Sequence, residues 1–110
     1  MKLYHNPRCG KSREALALLE GKEVEVVEYL KNSLTAEELK SLIAKIGISP
    51  FELIRKGEAA FKENYKGKDL SDDEWIAAMI KFPKLMERPI LEKEDKAIVG
   101  RPPEDILELL

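Results

Sequence analysis

The stretch Leu3-Tyr4-His5-Asn6-Pro7-Arg8-Cys9-Gly10-Lys11-Ser12-Arg13-Glu14-Ala15-Leu16 decides the fold. Leu3 to His5 read as a short strand that turns sharply into a helix. From Gly10 the chain reads as a helix, with Ala15, Leu16 and Leu19 on one apolar side and Gly21 as its end. Cys9, the single cysteine, falls where strand gives way to helix. Unpaired N–H groups at a helix start favour negative charge, and the thiolate, not the thiol, is the reactive nucleophile. Arg8, Lys11 and Arg13 add cations alongside. A thiol of pKa about 8.5 is only ~3% ionised at pH 7, whereas a downward shift of about two units makes it roughly three-quarters ionised. Cys9 is therefore the expected nucleophile.

Ser12 follows Cys9 by three residues, so its hydroxyl is expected one helical turn along, in reach of the sulfur. The motif is Cys-x-x-Ser. With no second cysteine, a mixed disulfide or adduct on Cys9 must be resolved by an outside thiol.

Working outward, Val24 to Leu30 is β-branched and apolar and reads as a second strand, parallel to the first because a helix joins them. Thr35-Ala36-Glu37-Glu38 is a capping box, followed by Leu39, Leu42, Ile43 and Ile46 at helical spacing and then Gly47. Ser49-Pro50 opens a short helical stretch through Lys56, and Ser71-Asp72-Asp73-Glu74 caps a helix carrying Trp75, Ile76, Met79 and Ile80. Ile90-Leu91-Glu92 and Ala97-Ile98-Val99 flank a turn at Glu94-Asp95, which predicts a hairpin; Pro102-Pro103 then starts a last helix containing Ile106, Leu107, Leu109 and Leu110. This order predicts an α/β fold, a thioredoxin-like βαβ-ββα core with a helical block inserted after the second strand. Residues 1–110 are read as one domain, with the insertion at about 34–87. Open α/β sheets place ligands beyond the carboxyl ends of their strands, where Cys9 lies.

Composition excludes several classes. The 19 basic and 21 acidic side chains nearly cancel and form no basic block, which argues against nucleic acid as a partner. One cysteine and one histidine cannot make an ordinary four-ligand zinc site. Met1-Lys2 leads into a strand, and no run is long enough for a membrane span, so a reducing cytoplasm is expected and no membrane association. His5 to Ser12 almost spells a phosphate-binding loop, but His5 stands where the first glycine belongs. The sixth position after Cys9 is Ala15, so the arginine of a cysteine-phosphatase cradle is missing. The segment from Glu37 to Arg55 imitates a helix-turn-helix but has no basic recognition face.

The chain resembles the glutaredoxin-coupled arsenate reductase family, in its thioredoxin-fold branch. The resemblance is carried by His5-Asn6-Pro7-x-Cys9-x-x-Ser12-Arg13, Ile48-Ser49, Leu53-Ile54-Arg55-Lys56, Arg88-Pro89-Ile90 and Gly100-Arg101-Pro102. It implies that Cys9 attacks arsenate or a similar oxyanion and that Arg55, Arg88 and Arg101 surround that oxyanion; the helix start, at Gly10 and Lys11, is expected to add backbone N–H groups on the other side. It further implies that His5 helps tune the cysteine, a protonated imidazole favouring the thiolate, and that Pro89 is cis and faces Cys9. Glutathione as co-substrate and glutaredoxin as partner follow from the same resemblance, with no bound cofactor or metal. Guanidinium groups suit a tetrahedral oxyanion because they present several donors and keep their charge. Some members carry a C-terminal extension beyond the point matching Leu110, and position 8 is often small in them, whereas Arg8 stands here. Another thiol substrate is therefore an alternative. So is the RNA polymerase-binding regulator of the same fold, whose redox-switching members carry Cys-x-x-Cys where this chain has Ser12.

Overall fold

The computed structural model describes all residues 1–110 and divides the chain into two compact units, Met1–Asn32 with Arg88–Leu110, and Ser33–Glu87. The first unit holds a four-stranded mixed sheet in the thioredoxin-like arrangement, ordered β2-β1-β3-β4. Its strands are β1 (Lys2–Tyr4), β2 (Glu25–Val27), β3 (Ile90–Lys93) and β4 (Lys96–Val99), and helix α1 (Gly10–Leu18) joins β1 to β2. β1 pairs parallel with β2 and antiparallel with β3, which pairs antiparallel with β4. Tyr4 stands opposite Ile90, and Ile90 opposite Val99. The end of β1, the start of β3 and the end of β4 therefore share one end of the sheet.

Alternation along β1 and β3 sorts the side chains onto two faces. Leu3 and Leu91, paired across the strands, join Ala15, Leu19 and Ile106 in one buried cluster. Complete burial of each such leucine or isoleucine removes apolar area worth about 1.5–3 kcal/mol from water. On the other face the Tyr4 hydroxyl donates to Glu92 Oε1 at 2.6 Å.

β1 keeps the predicted three residues but starts at Lys2 instead of Leu3, while β2 and α1 are shorter than the sequence predicts. β2 covers Glu25–Val27 instead of Val24 to Leu30 because its partner β1 has only three residues. One further ladder bond, from the His5 N–H to the Val27 carbonyl at 2.9 Å, precedes Pro7, which has no N–H to continue the ladder. Beyond Val27 the Lys31 and Asn32 amides fold back onto the Glu28 carbonyl. α1 ends at Leu18, and Gly21 supplies a left-handed conformation, φ +83°, in the turn that follows.

Gly100 closes the sheet against the last segment, a 3-10 helix over Pro103–Leu109 where the sequence predicts a helix. A Cβ at Gly100 would meet Ile106 Cγ2 at 2.9 Å and Pro89 Cγ at 3.0 Å. Neither neighbour has room to move: Ile106 and Pro89 are fully buried. Gly100→Ala is expected to destabilise the fold by about 1–3 kcal/mol, the usual range for overpacking, seen as a lower urea midpoint at unchanged m-value. An unchanged midpoint would show that this corner repacks freely.

The second unit is helical. α2 (Ala36–Ile46) begins with the expected capping box, in which the Glu38 N–H donates to Thr35 Oγ1 at 3.1 Å and the Thr35 N–H to Glu38 Oε1 at 2.9 Å; Gly47 ends it at φ +83°. α4 (Asp72–Lys81) is capped likewise by Ser71 and Glu74. Trp75 gathers Phe51, Tyr65 and Phe61 at ring separations of 4.9, 5.9 and 6.3 Å. The stretch expected from Pro50 to Lys56 is a 3-10 helix over Pro50–Leu53 only, because Ile54 leaves it to form an antiparallel bridge with Met86. α3 (Ala59–Asn64) has no counterpart among the individual helices the sequence predicts: it buries only Phe61, and its N-cap Glu58 makes no side-chain cap bond. No helix is long and apolar enough to cross a membrane.

Candidate active site

Asn6, Pro7, Arg8 and Cys9 form the turn between β1 and α1. The Cys9 N–H donates to the Asn6 carbonyl at 3.0 Å, closing a turn with proline at its second position, the place where a fixed φ helps. Cys9 is the N-cap of α1, with extended backbone at φ −95° and ψ 123°, and is partly exposed.

The Cys9 pKa is lowered to about 7. Burial pushes it up, and this single effect is the largest. The Ser12 amide, hydrogen bonding from the Arg88 guanidinium, the Lys11 amide and the Arg88 charge together outweigh it. Cys9 makes no full side-chain capping bond, so the two amides act as oriented dipoles at the helix start. The cations that matter come from distant sequence. The exposed side chains of Arg8 and Lys11 are not among the groups that lower Cys9, while the Arg13 guanidinium donates to the Pro7 carbonyl at 2.9 Å.

Arg88 precedes β3 and is buried. Arg101 follows β4; its Nη2 lies 3.9 Å from Cys9 Sγ, and its Nε donates to the Arg88 carbonyl at 2.9 Å. The hairpin thus returns two guanidinium groups to the end of the sheet where α1 begins. The Arg88–Pro89 bond is cis, as the resemblance implies, and so is Arg101–Pro102.

Two expectations change. Ser12 is fully buried, but its Oγ accepts from the Asn6 N–H at 3.3 Å; Ser12 acts on the sulfur through its backbone amide instead of its hydroxyl. His5 is buried, and its pKa is lowered from 6.5: burial dominates, Glu28 attracts a proton, Arg13 repels one, and the Ser12 backbone favours one. An imidazole with a pKa below 6.5 is mostly neutral at pH 7, so His5 does not supply the positive charge expected of it. Its Nδ1 is buried without a hydrogen-bond partner.

Gly10 opens α1 and is exposed. Arg55 belongs to the second unit, where its N–H donates to the Leu85 carbonyl at 2.6 Å beside the Ile54–Met86 bridge and its Nε lies 3.9 Å from Glu58 Oε2. Asn6, the residue that sequence reasoning left without a role, is buried and accepts the Arg8 N–H on Oδ1 at 3.0 Å. The Asn-Pro pair was the available signal. No group of three or more His, Cys, Asp or Glu side chains is placed to hold a metal ion. Chemically, the site offers a half-ionised thiolate beside two permanent cations, an arrangement able to receive an oxyanion and attack its central atom.

A model of the ArsC family matches residues 4–109. An arsenate reductase of Haemophilus influenzae is 43% identical over 98% of this chain and 97% of its own length. The Escherichia coli K12 protein YfgD, named as uncharacterized, is 48% identical over 100% of this chain and 96% of its own. Among solved structures, an arsenate reductase from Vibrio cholerae superposes with a TM-score of 0.94 at 46% identity, covering 100% of this chain and 98% of that one.

Proposed function

The chain belongs to the ArsC family, and on that premise we propose that it reduces arsenate to arsenite through a covalent adduct on Cys9 that glutathione and glutaredoxin resolve. The observation that carries this reading is the pair of guanidinium groups of Arg88 and Arg101 brought to a cysteine whose pKa is lowered to about 7.

The Cys9 thiolate attacks arsenic, an As–O bond breaks, and the departing oxygen leaves as water after taking up protons. Arg88, Arg101 and the amides of Gly10, Lys11 and Ser12 face the negative oxygens that remain, and charge-assisted donors of fixed geometry are the groups that stabilise them. Arg55 is the third guanidinium that the resemblance assigns to the oxyanion. Two electrons then pass from two thiols to arsenic(V), giving arsenite and a disulfide. Cys9 supplies one of those sulfurs transiently, and because the chain has no other cysteine, glutathione and then glutaredoxin must supply the rest.

The test is arsenate-dependent NADPH oxidation with glutathione, glutaredoxin and glutathione reductase. A group with pKa about 7 that acts as its anion makes the rate rise with pH: about a tenth of Cys9 is thiolate at pH 6, half at pH 7 and nine-tenths at pH 8. We expect arsenate-dependent turnover whose kcat/KM climbs roughly tenfold over that range and then levels. No turnover in folded protein with a titratable thiol would move the reading to another thiol substrate.

A further inference from the structure

We propose that Asn6 is a positioning residue for Cys9, because it closes the β1–α1 turn with both its backbone and its side chain and so holds the sulfur over the Lys11 and Ser12 amides. The inference rests on the thiolate reading of Cys9 and not on arsenate as substrate.

Asn6 makes three bonds within six residues. Its carbonyl accepts the Cys9 N–H at 3.0 Å, its Oδ1 accepts the Arg8 N–H at 3.0 Å, and its own N–H donates to Ser12 Oγ at 3.3 Å. The first two fix the direction in which the chain enters α1. The third ties that entry to the residue whose amide is foremost among the groups lowering the Cys9 pKa. Cys9 forms no side-chain capping bond of its own, and the groups at its sulfur from outside the loop, Arg88 and Arg101, do not fix the path of the loop that carries it over those amides. Dipole contacts weaken steeply when a loop rotates, and an asparagine side chain that mimics a backbone turn is the device that prevents rotation here.

Asn6 is 5% exposed and carries no charge, so its replacement alters no electrostatic partner. The charged groups around the loop remain: Arg88 ahead of β3, Arg101 after β4, Arg13 on α1, and Glu28 beyond β2, whose charge acts on the buried and uncharged His5. A change in Cys9 acidity on replacing Asn6 therefore reports loop geometry.

The experiment uses the single cysteine. The pH dependence of iodoacetamide alkylation is measured for the wild type, Asn6→Ala and Asn6→Ser, with thermal unfolding of each. Asn6→Ala removes the Oδ1 acceptor, and its alkylation midpoint is expected to rise by about one pH unit, which makes alkylation at pH 7 about fivefold slower. Asn6→Ser restores a weaker acceptor and should fall between the two. The proposal is overturned if folded Asn6→Ala keeps the wild-type midpoint. Should Asn6→Ala fail to fold, a midpoint for Asn6→Ser above the wild type supports the proposal and an unshifted one overturns it. Alkylation needs no arsenate, so absence of arsenate turnover in the wild type would leave this result intact.

Discussion

Cys9→Ser is expected to bring arsenate-dependent turnover down to background, a loss of at least about 10³-fold in kcat. Serine keeps nearly the same shape at the N-cap of α1 and is a favoured N-cap residue, so the fold should survive. What disappears is acidity. The amides and the Arg88 guanidinium that bring the thiol to about 7 act on a hydroxyl whose pKa starts far higher, and no nucleophile is left at neutral pH. The oxyanion donors are untouched, so the variant should still bind the oxyanion, measurable as protection against thermal unfolding by arsenate. Retained turnover would rule out the covalent adduct.

Arg88→Lys should lower kcat/KM for arsenate by about 10–100-fold, read from initial rates in the coupled assay. A lysine keeps one positive charge but loses the planar fork that donates in two directions. Arg88 is 7% exposed, and it contributes both a hydrogen bond and a charge to Cys9. Its carbonyl also receives Arg101 Nε, a contact that survives substitution because it uses the backbone. The loss should therefore reflect the Arg88 side chain itself, with Arg101 still at the sulfur. Unchanged kcat/KM would remove Arg88 from the oxyanion.

The parts of this molecule legible in its sequence are those set by neighbours along the chain. Thr35 with Glu38 and Ser71 with Glu74 announce their helices because both partners of each cap lie within one turn. The strand pairing follows from βαβ connectivity, and the hairpin from its turn. Resemblance to a family, and no local rule, singles out Arg88 and Arg101, since they reach Cys9 from 79 and 92 residues away; only folding shows that they do so while the exposed side chains of Arg8 and Lys11 have no part in lowering its pKa. The roles of Ser12 and His5 turned on which atom faces the sulfur and on burial, neither of which residue identity reveals. α3 lacked both a cap and an apolar period, so its helix had no local signature.

The hairpin of β3 and β4 has its own consequence. Both of its open ends carry the arginines of the site, and its turn, with Glu94 at φ +58°, lies at the opposite end of the strands. At about 3.3 Å per residue, the four steps from Ile90 to Glu94 put that turn roughly 13 Å farther along the sheet. The strand ladder separates the chemistry from the loop tip as a handle separates a grip from a blade. A label, an affinity tag or an inserted peptide at Glu94-Asp95 can be carried there without entering the thiol's surroundings, provided the Lys93–Lys96 pair is kept to hold the register.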